Sequence, residues 1–260
     1  MFEGISINCA CFKGYSLETA LQSISELGYK YVELAGMKDY CEFVSPLMKD
    51  EAVSYVKHLL KLNQLQVSAL SAHVDYLADP ESLQWLEKSI PLATKLGANI
   101  VITSPGEGDY DHRLETLNSL DSICRVYGVT LALEPHGSLC SGSLLQEAID
   151  KANTSNVKIN YDIANVGFFG GYNPLDDLAP LTHLAYVHLK DHIGGKGIWN
   201  FPAAGKGELP LPKIINLLKD KGYQGYLSAE IEFTPDGPDS FEHIRDSARI
   251  SFEYITNLIK

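Results

Sequence analysis

Four short apolar stretches of this chain each end on an ionisable side chain. Leu131-Ala132-Leu133 runs into Glu134-Pro135-His136, Ile159-Asn160-Tyr161 into Asp162, Tyr186-Val187 into His188, and Leu227-Ser228-Ala229 into Glu230. A carboxylate or imidazole at the tip of a buried strand is unfavourable unless it is paired or bound to a metal. Strand alternation places Ala132 with Glu134, Asn160 with Asp162, Tyr186 with His188 and Ser228 with Glu230 on one face. If those faces converge, three carboxylates and an imidazole meet. Carboxylates that close raise one another's pKa, and a divalent cation is the natural resolution. A mostly oxygen donor set with one nitrogen suits Mn²⁺, with Mg²⁺, Co²⁺ and Zn²⁺ also compatible. Plainer roles exist for each residue. Glu134 before proline fits an exposed turn, Asp162 fits the cap of a following turn, His188 fits a satisfied core histidine, and Glu232 rivals Glu230 on the same strand face.

Convergence requires elements that bring the four tips together. The form helix end, glycine, short spacer, apolar strand recurs at Glu26–Leu34, Lys95–Thr103, Val126–Leu133 and from Asp220 through Gly222 to Leu227. Glycine just past a helix stops it, and a strand follows within a few residues, as at the αβ junctions of a parallel sheet. Leu17, Ala20, Leu21, Ile24 and Leu27 share a helical face, as do Leu83, Leu86, Ile90, Ala93 and Leu96. The second of these helices has Asp79 as cap, Pro80 at its first position and Gly97 at its end. Ser143-Leu144-Leu145-Gln146 reads as a capping box, and Phe241 to Ile255 as the last helix. Strands are expected near 4–8, 31–34, 66–72, 98–104, 130–135, 157–164, 184–190 and 225–233. Eight alternating units without a dividing linker predict an α/β fold, a single (β/α)8 TIM barrel over residues 1–260, with an open doubly wound sheet as the alternative.

Whole-chain quantities restrict the partners. With 260 residues, 45% hydrophobic and 21% charged, the chain has the composition of a soluble globular protein. A formal charge of −12 disfavours broad binding to phosphate backbones, so no nucleic-acid partner is expected. No run is long and apolar enough to span a bilayer, so no membrane partner is expected, and the first residues lack the pattern of a secretory signal. The five cysteines are odd in number and scattered, which fits free thiols and a cytoplasmic location; Cys9 and Cys11 would share one face of a strand. A homo-oligomer is compatible with the composition.

In such a barrel chemistry sits at the C-terminal strand ends. Glu33 ends the second strand and His73 the third, so both are expected at the same mouth. His136 follows Glu134 by two residues, Asn165 follows Asp162 by three, and Lys190 shares the face of His188. Trp199 and Phe201 lie in the long loop after the seventh strand and could form an apolar wall. Gly194-Gly195-Lys196-Gly197 could cradle phosphate or hinge a lid.

The motifs L-A-L-E-P-H ending at His136, Y-D-I-A-N from Tyr161 to Asn165, V-H-L-K-D from Val187 to Asp191, G-K-G-E from Gly205 to Glu208 and S-A-E-I-E from Ser228 to Glu232 occur in this order. Through them the whole chain resembles the xylose isomerase-like barrel superfamily, in the sugar isomerase/epimerase branch that includes inosose isomerases and tagatose epimerases. The resemblance implies that Glu134, Asp162, His188 and Glu230 bind one divalent metal, and that Glu134 and Glu230 also move the proton. It implies a small sugar or cyclitol substrate, interconverted through an enediolate, with His136, Asn165, Lys190, His73, Glu33 and Trp199 as substrate-contact candidates. Asn165 stands where epimerase relatives often carry a histidine. A lyase acting on an inosose or 3-keto-glycoside would use the same ligands. The related endonuclease IV needs further ligands. Ser104-Pro105-Gly106, Asn165 and Trp199-Asn200-Phe201 stand where that nuclease carries them, which makes it a remote alternative.

Overall fold

The computed structural model describes residues 1–260. Its strands are β1 (Ile5–Ile7), β2 (Tyr31–Met37), β3 (Cys41–Glu42), β4 (Gln66–Ser71), β5 (Ile100–Thr103), β6 (Thr130–Leu133), β7 (Val157–Asp162), β8 (Leu184–Lys190) and β9 (Leu227–Glu230). The long helices are α1 (Leu17–Glu26), α2 (Asp50–Leu62), α3 (Pro80–Leu96), α4 (Tyr110–Tyr127) and α5 (Gly142–Ala152). The short α6 (Ile163–Asn165) and α7 (Pro174–Leu178) follow, then α8 (Leu211–Asp220) and α9 (Phe241–Ile259).

Eight strands pair in parallel in the order β1-β9-β8-β7-β6-β5-β4-β2. A single parallel bridge between Asn8 and Glu33 joins β1 to β2 and brings the two ends of the series together. This is the α/β barrel expected from the alternation. The two-residue β3 is an addition, pairing antiparallel with the end of β2. One hydrophobic cluster of 63 buried residues runs from Ile7 to Ile255, so helices and barrel wall share a continuous core. A separate cluster of Ala69, Ile100, Ile102, Ala132 and Tyr186 fills the barrel interior. Beside it, Ser68 Oγ lies 2.6 Å from Ser6 Oγ and 2.7 Å from Tyr186 OH.

Local signals explain most boundaries. Asp79 Oδ1 accepts from Ser82 N at 2.8 Å, Pro80 occupies the first turn of α3, and Gly97 ends it at φ 89°. Three local expectations need correction. The cap of α5 is Ser141, whose Oγ accepts from Leu144 N, because Ser143 Oγ instead donates to Asp177 at 2.7 Å. Cys9 and Cys11 lie in a 3-10 turn, not a strand, because Asn8 Oδ1 accepts from Ala10 N and bends the chain. All five cysteines are free. Finally, β2 continues past Glu33 to Met37, so Glu33 lies within the strand and not at its end.

Candidate active site and metal centre

Four neighbouring strands supply the expected donors. Asp162 and Glu230 are the last residues of β7 and β9, and His188 sits opposite Asp162 in the β7–β8 register. Glu134 directly follows β6 and prolongs its pairing, with its amide donating to Thr103 O at 2.9 Å. Each of the four is at most 6% exposed, and one donor atom from each lies within 4.8 Å of the other three. His188 Nδ1 is 2.9 Å from Glu134 Oε2, 3.2 Å from Glu230 Oε2 and 3.7 Å from Asp162 Oδ2.

The two oxygens of Asp162 have different work. Oδ1 accepts from Ala164 N and Asn165 N at 2.8 Å each, which starts α6. Oδ2 is buried without a hydrogen bond, as is Glu230 Oε2. Asp162 is therefore both the turn cap and a member of the cluster. Buried polar atoms are nearly always satisfied. Two carboxylate oxygens held by ion pairs alone, facing one imidazole nitrogen and a third carboxylate, fit a divalent cation. The cluster could hold one, in the oxygen-rich set such ions take.

The electrostatics agree. Burial opposes charge on His188, yet Glu230, Glu33 and Glu134 lift its pKa well above the usual imidazole range. Burial likewise opposes ionisation of Glu134, but His73 and His188 hold its carboxyl below the ordinary value. Glu230 is held well below by His188 and Lys190 against its burial. Asp162 is pushed up to about 7 by burial, with Lys190 and His188 opposing. The protonated ring of His188 thus stands in for a cation among the carboxylates. A metal at Nδ1 would displace that proton, which couples ion binding to pH.

Amides and an ammonium hold the carboxylates in place. Asn160 Nδ2 donates to Glu134 Oε2 and Asn165 Nδ2 to Glu134 Oε1, both at 2.7 Å. Lys190 Nζ donates to Asn165 Oδ1 at 3.3 Å, pairs with Glu232 at 2.6 Å and Glu230 at 3.1 Å, and lies 4.4 Å from the Phe201 ring centre. His73 Nδ1 is fixed by Ser71 Oγ at 2.9 Å, leaving Nε2 3.4 Å from Glu134.

Above the cluster opens a cavity of about 200 Å³, smaller than the ~300–1,000 Å³ of typical ligand pockets. His73, His136, Asn165, Lys190 and Trp199 line it with Glu134, Glu230 and Glu232. Met37, Tyr40 and Phe169 complete an apolar side with Trp199. Glu33, expected at this mouth, is not in the lining. It is fully buried beneath His188, because β2 runs four residues beyond it. Phe201 is also fully buried and supports Lys190 from below instead of walling the cavity.

Sequence reasoning missed Asn8, Met37, Tyr40 and Phe169. Asn8 carried the same signal as the ligands, a polar residue just past a short apolar strand. Met37 and Tyr40 owe their place to the β2–β3 hairpin. Phe169 owes its place to a π-turn over Val166–Gly170, a backbone irregularity that often marks functional sites. No pattern in the chain announces either.

The glycine motifs have structural explanations. Asp191 accepts from Gly205 N and Gly207 N at 2.9 Å and from Leu209 N at 3.2 Å, folding the G-K-G-E stretch around its carboxylate. A Cβ at Gly207 would lie 2.2 Å from Asp191 Oδ1. In the other glycine loop, Gly194 N donates to Glu208 and Gly197 N to Phe168 O, so both amides are already engaged.

Comparison with known proteins follows the same lines. A family profile described as "Xylose isomerase-like TIM barrel" matches residues 21–254. An inosose isomerase of Halalkalibacterium halodurans is 22% identical over 83% of this chain and 82% of that protein. A fructoselysine 3-epimerase of Shigella flexneri is 22% identical over 83% of this chain and 85% of its own length. Among solved structures, a xylose isomerase domain protein from Planctomyces limnophilus superposes with TM-score 0.80 at 18% identity, covering 98% of this chain and 96% of that one. A xylose isomerase-like barrel from Mycobacterium smegmatis, in complex with magnesium, gives 0.77 at 17% identity over 99% and 98%. A probable 3-DHS dehydratase from Bacillus anthracis gives 0.71 at 18% identity over 98% and 99%.

Proposed function

The chain belongs to the xylose isomerase-like TIM barrel family, and on that premise we propose that it is a divalent-metal-dependent isomerase or epimerase of a keto-sugar or cyclitol. The observation that carries the reading is the buried meeting of Glu134, Asp162, His188 and Glu230, with Asp162 Oδ2 and Glu230 Oε2 left without a hydrogen bond. The relatives named inosose isomerase and fructoselysine 3-epimerase support the substrate class.

When bound, a divalent cation, Mn²⁺ in the first instance, would act as a Lewis acid toward the carbonyl and neighbouring hydroxyl oxygens. The chain's own groups do the rest. Glu134 and Glu230 stand on β6 and β9, separated by β7 and β8, and reach the centre from two sides. Their depressed pKa values keep both ionised in the metal-free protein. One, ionised, takes the proton beside the carbonyl, giving an enediolate; the other, having first taken up a proton from water, delivers it to the opposite face or the adjacent carbon and is left ionised. Asn165 and Asn160 orient Glu134 through both oxygens. His73 and His136 offer hydrogen bonds to substrate oxygens, Lys190 holds Glu230 and Glu232 at the cavity edge, and Tyr40, Phe169 and Trp199 exclude water.

The substrate is uncharged in this reading. Lys190, the one lysine or arginine in the lining, is already paired with Glu230 and Glu232, and the Gly194 and Gly197 amides are engaged. A phosphate would meet carboxylates. Sugar phosphates are therefore expected to turn over at least about 100-fold less efficiently than the free sugars, a difference of roughly 2.7 kcal/mol.

The test is a panel of free ketoses and inososes with Mn²⁺-loaded protein in D₂O. Expected are solvent deuterium at the substrate carbon and a product isomeric with the substrate. Absence of exchange across the panel would sink the proposal. The dehydratase neighbour favours one second reading, elimination from the same enediolate. Loss of water with a new enone absorbance would select it.

A further inference from the structure

Glu33 lies under the ligand cluster with no exposed surface, on a strand that contributes no ligand. Its Oε1 and Oε2 stand 3.1 and 2.9 Å from His188 Nε2, the ring nitrogen turned away from the cavity. Ser228 Oγ donates to Oε2 at 2.8 Å, and Asn8 Nδ2 donates to Oε1 at 3.0 Å. The same Asn8 nitrogen gives its other hydrogen to Glu230 Oε1 at 2.9 Å, while Asn8 Oδ1 accepts from Ala10 N at 3.0 Å. Both donors and the acceptor of the Asn8 amide are thereby used, so its orientation is fixed.

We propose that Glu33 is the positioning residue of the metal centre, bracing His188 and, through Asn8, Glu230 from below. The inference rests on the reading that Glu134, Asp162, His188 and Glu230 hold a divalent cation. An imidazole binds a metal through the nitrogen that carries no hydrogen, and the hydrogen bond made by the other nitrogen decides which one that is. Glu33 accepts the Nε2 hydrogen, so Nδ1, at 2.9 to 3.7 Å from the three ligand carboxylates, is the coordinating atom. Asn8 occupies one oxygen of Glu230 and leaves Oε2 for the cation. A carboxylate suits the position because three donors converge on it and all are satisfied. The brace sits where the backbones of β1 and β2 meet through the Asn8–Glu33 bridge, so the residues that close the barrel also carry the side chains that orient the ligands.

Chelator competition with Mn²⁺, on the full chain and on its Glu33→Gln and Glu33→Ala variants, tests this without any substrate. Removing an outer-sphere partner of this kind weakens metal binding about 10–100-fold, and that loss is expected for Glu33→Ala. Glu33→Gln keeps an oxygen that accepts from His188 and Asn8, and its amide can donate to Ser228. It should recover most of the affinity, staying within about 10-fold of the wild type. Circular dichroism of the metal-free variants checks that they fold. Independently, ¹⁵N-histidine spectra of the Cd²⁺-loaded wild-type protein should show cadmium coupled to Nδ1 of His188 and a hydrogen on Nε2. This readout decides the matter if the alanine variant does not fold. Coupling through Nε2, or a folded Glu33→Ala protein with wild-type Mn²⁺ affinity, overturns the inference alone. A wild-type protein that binds neither Mn²⁺ nor Cd²⁺ overturns the metal reading as well.

Discussion

The two halves of this barrel contribute to the site in different ways. The half from β6 to β9 presents its chemistry at strand tips, one donor per strand, all aimed at a common point. The half from β1 to β4 offers no donor from a strand tip to that point. It supplies the support beneath His188 and the wall above the cavity, from Asn8 and Glu33 inside and from Met37, Tyr40 and His73 at the rim. On the proposed function, the difference would separate the reaction from its control. Changes in the first half should abolish turnover or ion binding, and changes in the second should retune them.

The largest effect should come from the acid/base pair. Glu134→Gln or Glu230→Gln keeps the shape and removes the proton carrier, and kcat should fall by about 10²–10⁴-fold. Comparable turnover in either variant with metal bound would erase the division between the halves.

Asp162→Asn sharpens the comparison through ion affinity, which should fall by more than the ~10–100-fold typical of outer partners. The same variant has a pH signature in metal-free protein. The carboxyl pKa of Asp162 is raised to about 7 from 3.8 on folding, so the folded state binds this proton more tightly than the unfolded chain. Its contribution to stability is present below the unfolded value and lost as pH climbs through the folded one. Asparagine has no such loss. Melting curves in chelator should show Asp162→Asn gaining on wild type between about pH 4 and 8. A constant difference would contradict the burial argument.

Gly207→Ala probes the loops of the ligand half. A Cβ 2.2 Å from Asp191 Oδ1 and 2.7 Å from His192 N should lower stability by about 1–3 kcal/mol, as overpacking does. Denaturant titration measures it.

The smallest effect belongs to the wall. Met37 and Tyr40 stand between the main cavity and a side void of about 20 Å³. Met37→Ala should join the two and shift kcat/KM toward bulkier ketoses by about 10-fold, leaving Mn²⁺ affinity unchanged. A loss of ion affinity would show that the wall and the centre are not separable.

The ligand half was legible because a polar residue ending a short alternating strand has few structural excuses. Asp162 shows the limit of that reading, since its capping role and its place in the cluster turned out to be compatible. Glu33 was legible as important and misplaced in depth. β2 is buried on both faces from Val32 to Met37, so no alternation marks where the strand ends. Ser143 read as the cap of α5, but Asp177, 34 residues away, claims its hydroxyl. Turns such as the β2–β3 hairpin and the π-turn behind Phe169 are decided by tertiary packing and left no mark in the local sequence.

The split duty of Asp162 reaches beyond the ligand set. One oxygen anchors the first turn of the segment that carries Asn165 and Phe169. An ion that demanded both oxygens would unlatch that segment and loosen the cavity wall. Calcium gathers roughly six to eight oxygens and readily takes a carboxylate two at a time, so it would enter at the expense of the pocket's shape. Smaller ions content with a single oxygen would leave the latch closed.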